Sequence, residues 1–392
     1  MLNFEFCSPT KFVFGRDTQQ KVGALVKEFG GSRVLVHFGG GSVVRSGLLE
    51  RVEKSLEREG ISFVELGGVQ PNPRLKLAQE GIDLCSRENV DLILAVGGGS
   101  VIDSAKAIGY GLGSGGDVWE VFERKRPVTG CTPIGVVLTI AATGSEMSSA
   151  CVITSEDGWV KRGCTSDLSR PRFAVMDPQL TMTLPDYHTA SGCVDIMMHT
   201  MERWFYGSGG MDVTESIAAA IMRTTMKHAL ILRDDPQNYE SRAEIFWAGT
   251  LSHNGLTGCG TDGGDWAPHK IEHEISGLFD VIHGAGLAAI YGSWARYVSR
   301  QHPERFVRFA QLVMNVSGAG TDQETALKGI EAFEDFCRAI NMPTSIRELG
   351  IEPTDEQLRE MAEKCISTMG GPVGKVMQLN ADDVYEIYKM AL

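Results

Sequence analysis

The 392-residue chain is long enough to bury two or three hydrophobic cores, and its 43% hydrophobic and 22% charged residues mark a soluble globular protein rather than a disordered one. A formal net charge of −13 argues against nucleic acid as a partner. The nine cysteines are odd in number and never form a CxxC pair, which reads as reduced thiols in a cytoplasmic protein; no apolar run reaches bilayer length, and "MLNFEFCSPT" lacks the basic-then-apolar order of a secretory signal.

Along the first half, β-branched runs alternate with helical stretches. "RVLVHF" (33–38), "ISFVEL" (61–66), "VDLILAV" (90–96), "IGVVLTI" (134–140) and "RFAVMD" (172–177) read as strands, with helices expected over 43–58, 74–88 and 101–111. Near-continuous apolar strands separated by helices imply a parallel sheet covered on both faces. A hairpin or irregular excursion is expected over 145–170, where "TSEDGWVKRG" is rich in turn residues. After about 188 the period becomes helical, with segments at 188–206, 211–232, 239–254, 283–299, 303–317, 322–341, 355–369 and 381–391. The expected organisation is therefore a Rossmann-like α/β domain over 1–187, binding a dinucleotide, and an all-helical metal-binding domain over 188–392. A cleft between two such domains is where ligands usually bind.

Two "GGGS" loops follow strands and precede helices: Gly39, Gly40 and Gly41 with Ser42, and Gly97, Gly98 and Gly99 with Ser100. Glycine lets the backbone approach a phosphate, and a helix N-terminus offers free N–H groups. Neither loop meets the full GxGxxG fingerprint, and each alone is equally a tight turn. A third loop, "TIAATGSE", adds hydroxyls from Thr139, Thr143 and Ser145. A dinucleotide is the natural ligand for three such loops on one sheet. No carboxylate follows the strand ending at Phe38, the next acid being Glu50, so a 2′-phosphate is tolerated and NADP(H) is favoured over NAD(H).

Asp195 and His199, four apart in "VDIMMHTMERWF", project from one helix face, as half of a divalent metal site or as a hydrogen-bonded pair between helices. Three of the nine histidines fall within "HKIEHEISGLFDVIH": His269, His273 and His283. Pro268 is a helix start, and a break is expected near "GLFD". Gly277 stands where a zincin motif needs its second histidine, so that motif is excluded. Spacing alone leaves open which two of the three complete the site.

With "GGGSVIDSAKAI" (97–108), "TGSE" (143–146), "DPQLTMTLP" (177–185), "VDIMMHTMERWF" (194–205) and "HGAGLA" (283–288), the chain resembles the iron-containing, group III alcohol dehydrogenases, in particular their butanol-dehydrogenase-like branch. The likeness runs from "PTKFVFG" (9–15) to the last helices. It implies the dehydroquinate-synthase-like fold and a ligand set of Asp195, His199, His269 and His283. It also puts His273 beside the metal and nicotinamide, Asp103 near the nicotinamide, Lys161 near the phosphates or ribose, and Asn72 in a bordering loop. Cys151, Cys164, Cys193 and Cys259 are expected as small packing residues, and Trp266 as a pocket or packing residue.

The implied chemistry is hydride exchange between nicotinamide and a small or medium primary alcohol or aldehyde. One Fe²⁺ or Zn²⁺ polarises the substrate oxygen, and His273 carries a proton. A homodimer is expected, with no membrane partner. Dehydroquinate-synthase-like and glycerol-dehydrogenase-like activities, and a non-catalytic dinucleotide-binding redox sensor, are the competing readings. The intact ligand and loop positions favour the dehydrogenase.

Overall fold

The computed structural model describes residues 1–206, 210–318 and 320–392. They divide into two compact units, Cys7–Thr183 and Leu184–Leu392, the second joined by Met1–Phe6.

The first unit is built on eight strands: β1 (Lys11–Phe14), β2 (Arg33–Gly39), β3 (Ser62–Val69), β4 (Leu92–Gly97), β5 (Ile134–Leu138), β6 (Ala150–Ser155), β7 (Val160–Thr165) and β8 (Phe173–Met176). Six of them form a wholly parallel sheet in the order β1-β8-β5-β4-β2-β3, while β6 and β7 pair as the antiparallel hairpin expected near 145–170. Strands β4, β5 and β8 are buried along their whole length, which is why they read as unbroken apolar runs. Val34, Val36, Leu94, Val96, Val137 and Val175 share one core with Leu48, Val52 and Leu56 of the helix Leu48–Arg58. Burying each such side chain stabilises the unit by about 1.5–3 kcal/mol.

Two sequence expectations need correction here. The edge strand β1 was not among the expected strands. It has four residues, pairs only with β8 and is exposed at both ends, so it carries no apolar run. The single helix expected over 43–58 is two, Ser42–Arg45 and Leu48–Arg58. Between them Gly47 adopts φ 68, a left-handed conformation that ends one helix and turns the chain into the next.

In the second unit no strand occurs among the described residues. Its helices are Asp186–Trp204, Asp212–Asp234, Tyr239–His253, Ala267–Phe279, His283–Val298, Pro303–Leu312, Asp322–Ala339, Asp355–Met369 and Ala381–Met390. Capping boxes at Thr321 with Glu324, Thr354 with Gln357, and Asn380 with Asp383 start three of them. The helix His283–Val298 is central and almost wholly buried, packing on Asp186–Trp204, Ala267–Phe279 and Asp322–Ala339. Gly284 allows this closeness, because a Cβ there would overlap the Ser191 carbonyl. Phe205 stacks on Phe306 with ring centroids 4.3 Å apart and closes the aromatic core with Trp294 and Phe309. No described helix is long and apolar enough to cross a membrane.

Within the sheet unit, His37 of β2 is fully buried. Its Nδ1 lies 2.8 Å from the Leu66 carbonyl and its Nε2 2.9 Å from the Ser104 hydroxyl. The carbonyl can only accept, so Nδ1 donates and Nε2 accepts from Ser104. Burial lowers the imidazole from 6.5 to about 4, against the pull of the Leu66 bond. The unfolded chain therefore takes up a proton that the folded unit excludes. Stability from this source is complete above about pH 6.5 and is lost as pH falls towards about 4, by up to roughly 3 kcal/mol. Urea titrations at pH 7 and 5 should show this acid loss in the native chain and a shallower one in His37→Gln; identical pH dependence would refute it.

Candidate metal centre and dinucleotide loops

Asp195, His199 and Glu202 recur at intervals of four and three along the helix Asp186–Trp204, so all three face one side, and all are buried. The helix Ala267–Phe279 brings His269 and Glu272 to the same pocket, and His283 opens the next helix. Asp195 Oδ1 lies 3.2 Å from His199 Nδ1 and 3.8 Å from the Nε2 atoms of both His269 and His283. Asp195, His199 and His269 offer ligand atoms within 4.8 Å of one another, and Glu272, His273 and His283 form a second such group.

Each imidazole of Asp195's pocket is held by its Nδ1. His199 donates to the Asp195 carbonyl at 2.9 Å, His269 to Glu202 Oε1 at 2.7 Å, and His283 to Glu272 Oε2. That leaves Nε2 of all three with its lone pair available, the arrangement typical of ligands oriented by an outer carboxylate or carbonyl. Asp195 Oδ1 and His269 Nε2 are buried without a hydrogen-bond partner. Orphaned groups of this kind cost about 1–3 kcal/mol each, and a cation between them answers both. Three nitrogen donors and one carboxylate suit iron or zinc. The residues present fit a divalent metal.

Electrostatics agree. Burial pushes the Asp195 carboxyl up, but His199, His269 and His283 together hold it well below the usual carboxylate range. Burial lowers His199 to about 3 against the pull of Asp195. His269 is raised to about 9: burial opposes its charge, but the neighbouring Asp195 and Glu202 carboxylates prevail.

Around this pocket lie residues with supporting parts. Arg203 donates to the His199 carbonyl at 2.7 Å and the Ser252 carbonyl at 3.2 Å, and its guanidinium lies 4.8 Å above the Trp266 ring. Trp266 takes a left-handed φ of 65, held by its N–H on Glu202 Oε2 at 2.7 Å and its indole N–H on the Gly263 carbonyl at 2.6 Å. His253 stacks on His199 with ring centroids 3.9 Å apart. His273 is half-buried, its ring centroid 5.6 Å from that of His283.

The other expected site residues all lie in the sheet unit. The pairs Phe38 with Val96, and Gly97 with Leu138, set the loops after β2, β4 and β5 side by side at the C-terminal edge of the sheet. The strand order reverses between β2 and β4, the position where doubly wound sheets bind ligands. Gly40 is open, with nothing within 4 Å of where a Cβ would stand, and the Arg45 guanidinium lies beside Gly41; Ser42 and Arg45 are exposed. In contrast, Cβ atoms at Gly97, Gly98 and Gly99 would overlap Val101, Ile140 and Thr143, so packing alone already demands glycine there. Ser100 lies in the first turn of the helix Gly99–Ser114. The Thr139 N–H donates to the Gly97 carbonyl at 3.1 Å, tying the third loop to the second. Asn72, after β3, has φ 54 and accepts from the buried Lys161 Nζ at 3.0 Å. Asp103 accepts from Ser145 Oγ at 2.6 Å and from the Val152 N–H at 2.9 Å. Of the four cysteines, Cys151, Cys193 and Cys259 are buried and Cys164 is half-buried, opposite Cys151 on the hairpin.

Sequence reasoning missed Glu202, Glu272 and His253. Glu202 and Glu272 each follow a candidate ligand by three residues and so share its buried face, a signal present in "HTME" and "HKIE". His253 ends a separate helix and carries no comparable signal.

If Glu202 orients His269, Glu202→Gln should weaken metal binding by about 10–100-fold while the pocket still forms, and Asp195→Ala should abolish it. Isothermal titration of the metal-stripped chain with Zn²⁺ measures both. Unchanged affinity in Glu202→Gln would remove Glu202 from the site.

Comparison with known proteins places the chain in a family. Residues 9–178 match the family model "Iron-containing alcohol dehydrogenase", and residues 189–392 match "Fe-containing alcohol dehydrogenase family, C-terminal". The chain is 38% identical to NADH-dependent butanol dehydrogenase A of Clostridium acetobutylicum, over 99% of both chains. It is 30% identical to the NADPH-dependent aldehyde reductase YqhD of Escherichia coli, over 94% of this chain and 95% of that one. The crystal structure of NADH-dependent butanol dehydrogenase A from Thermotoga maritima superposes with a TM-score of 0.96 at 40% identity, covering 100% of this chain and 99% of that one. Matched along both halves and over essentially its full length, the chain belongs to the iron-containing alcohol dehydrogenase family.

Proposed function

We propose that the chain is a metal-dependent, NAD(P)-linked alcohol dehydrogenase and aldehyde reductase acting on small or medium primary alcohols and aldehydes of the butanol type. The observation that carries this reading is the convergence of the Asp195 carboxylate and three imidazoles, each with its Nδ1 already engaged. When bound, one Fe²⁺ or Zn²⁺ supplies Lewis acidity towards the substrate oxygen, and the nicotinamide exchanges hydride with the substrate carbon.

The chain's own residues do the rest. Asp195, His199, His269 and His283 are the proposed ligands, and Glu202 and Glu272 keep His269 and His283 turned towards the metal. The side chains of Asp195, His199 and His269 are only 3%, 5% and 7% exposed, whereas His283 keeps 23%, so solvent and substrate reach the pocket from the His283 side. His273 stands on that open side. We assign it the proton exchanged between the substrate oxygen and solvent. Residues 1–187 bind the dinucleotide through Gly39, Gly40, Ser42, Asn72, Gly97, Gly98, Gly99, Ser100, Asp103, Thr139, Thr143, Ser145 and Lys161, and residues 188–392 hold the metal. Nine free thiols support a cytoplasmic setting, and the exposed Leu2, Phe4 and Phe6 side chains support a homodimer. Nicotinamide absorbance, followed with primary alcohols and aldehydes on Fe²⁺- or Zn²⁺-loaded protein, tests the activity. No turnover with any of them would end this reading.

NADP(H) is proposed as the favoured nucleotide, because the loop after β2 is open at Gly40, has Arg45 beside it and lacks an acid. A Cβ at Gly39 would meet the Val69 carbonyl at 3.4 Å, an ordinary contact, so Gly39→Asp should fold. It should reverse the KM order of NADPH and NADH by repelling the 2′-phosphate. A native preference for NADH would overturn the assignment.

Relay and ligand are separable. His273→Ala should keep stoichiometric metal and lose about 10²-fold in kcat, with a pH-dependent deficit that imidazole partly restores, while His283→Ala should lose the metal. Metal analysis of the two variants decides. The opposite pattern would exchange their roles.

A further inference from the structure

Lys106 is a fully buried charged side chain on the helix Gly99–Ser114, among the apolar Ile102, Ala105, Ala107 and Ile108. Its Nζ lies 2.8 Å from the Ser145 carbonyl, 2.9 Å from the Ser145 hydroxyl, 2.9 Å from the Ser148 carbonyl and 2.7 Å from the Ala150 carbonyl. Three of the four acceptors belong to the segment joining β5 to β6, and the fourth, the Ala150 carbonyl, to the first residue of β6. One turn earlier on the same helix, Asp103 receives the Ser145 hydroxyl at 2.6 Å and the Val152 N–H at 2.9 Å, and its own carbonyl receives the Cys151 thiol at 3.2 Å.

The direction of this chain follows from its ends. An ammonium can only donate and a carboxylate only accepts, so Ser145 Oγ accepts from Lys106 and donates to Asp103. Burial lowers Lys106 and raises Asp103, and each opposes the other's shift. Helix packing does not explain the residue, since methionine would fill a similar volume without placing a charge in the interior. What lysine adds is the ability to gather three carbonyls and a hydroxyl from one loop. That same loop carries Thr143, which lies so close to Gly99 that a Cβ there would overlap it. The loop is thereby seated on the start of the helix that follows β4.

We infer that Lys106 is a positioning residue for the nicotinamide dinucleotide, drawing the 143–150 loop onto the start of the helix Gly99–Ser114 and orienting the Asp103 carboxylate through Ser145. The inference rests on the proposal that these loops bind the dinucleotide. Lys106 itself touches no ligand. Its effect is to present Thr143, Ser145 and Asp103 as one rigid polar set, so that the nucleotide does not have to order the loop when it binds.

Two variants test it in the full-length, metal-loaded protein, with NADH and NADPH binding followed by nucleotide fluorescence. Lys106→Met should keep its metal in the helical unit and bind both nucleotides at least about tenfold more weakly. Ser145→Ala leaves Lys106 three carbonyl partners and should shift binding the same way, by less. In both, nucleotide KM should rise more than kcat falls, a split that partial unfolding of a merely structural variant does not produce. Metal content and circular dichroism report the folded fraction, and should Lys106→Met fail to fold, Lys106→Gln, which keeps an N–H donor towards the same carbonyls, is measured in its place. Nucleotide binding within twofold of native in a folded Lys106→Met or Lys106→Gln would overturn the inference. If the native chain binds neither nucleotide, the dinucleotide reading beneath it fails instead.

Discussion

Three carboxylates buried together, Asp195, Glu202 and Glu272, set the terms for the helical unit. Carboxylates removed from water must each be answered by hydrogen bonds or positive charge, or they protonate. Glu202 is answered by the His269 ring and by the backbone N–H groups of Trp266 and His269, and Glu272 by the His283 ring. Asp195 Oδ1 makes no hydrogen bond, although His199 Nδ1 lies 3.2 Å away. A divalent cation at that point, as proposed, would balance the cluster, with the buried Arg203 nearby. Much of the surrounding structure follows from keeping these groups in place. Gly284 lets its helix lie against Ser191, and Asp265 accepts three backbone N–H groups, from Ala267, Lys375 and Val376, at the start of the helix that carries His269. Asp265 itself is raised to about 6 by burial and by Glu202, which shows how much negative charge the region already holds.

The sheet unit solves a different problem. Its charged interior pair, Lys106 and Asp103, is closed on itself through Ser145, so it needs no ion from outside. Its glycines also have two distinct meanings. Those at 97–99 are demanded by Val101, Ile140 and Thr143 around them and would be glycine whether or not a phosphate came near. Gly40 is under no such demand, so its lack of a side chain is the more informative about a ligand. Counting glycines in two similar motifs treats as equal what the packing shows to be different.

The central strands and the long helices were legible because burial on both faces, or along one stripe, writes a periodic pattern. The four-residue edge strand β1 writes none, and the break at Gly47 was hidden because apolar positions continue in phase on both sides of it. The four proposed ligands were named from a family resemblance, since spacing alone left His269, His273 and His283 unresolved. In the structure, Nε2 of His269 and Nε2 of His283 each lie 3.8 Å from Asp195 Oδ1. Glu202 and Glu272 were passed over because acids on a helix are ordinarily solvent-facing. That each falls three residues after a histidine is the clue that they turn inward. Lys106 was quoted within a motif yet given no part, because nothing in sequence shows that one loop, some forty residues away, supplies all its acceptors.

The two units also differ in how readily their specificity can change. The proposed metal pocket is interlocked: altering Asp195 or one of its histidines disturbs an outer carboxylate, the helix that carries it and the backbone N–H groups it serves. The loop at 39–42, on the proposed reading, meets the far end of the nucleotide with few side chains, and Gly40, Ser42 and Arg45 are exposed. Exposed positions change at little cost to stability, whereas buried hydrogen-bonded charges do not. On the proposed reading, nucleotide preference therefore changes more readily than the metal site. Among relatives of this chain, the butanol dehydrogenase of Clostridium acetobutylicum is NADH-dependent and the aldehyde reductase of Escherichia coli NADPH-dependent, a division on that same side.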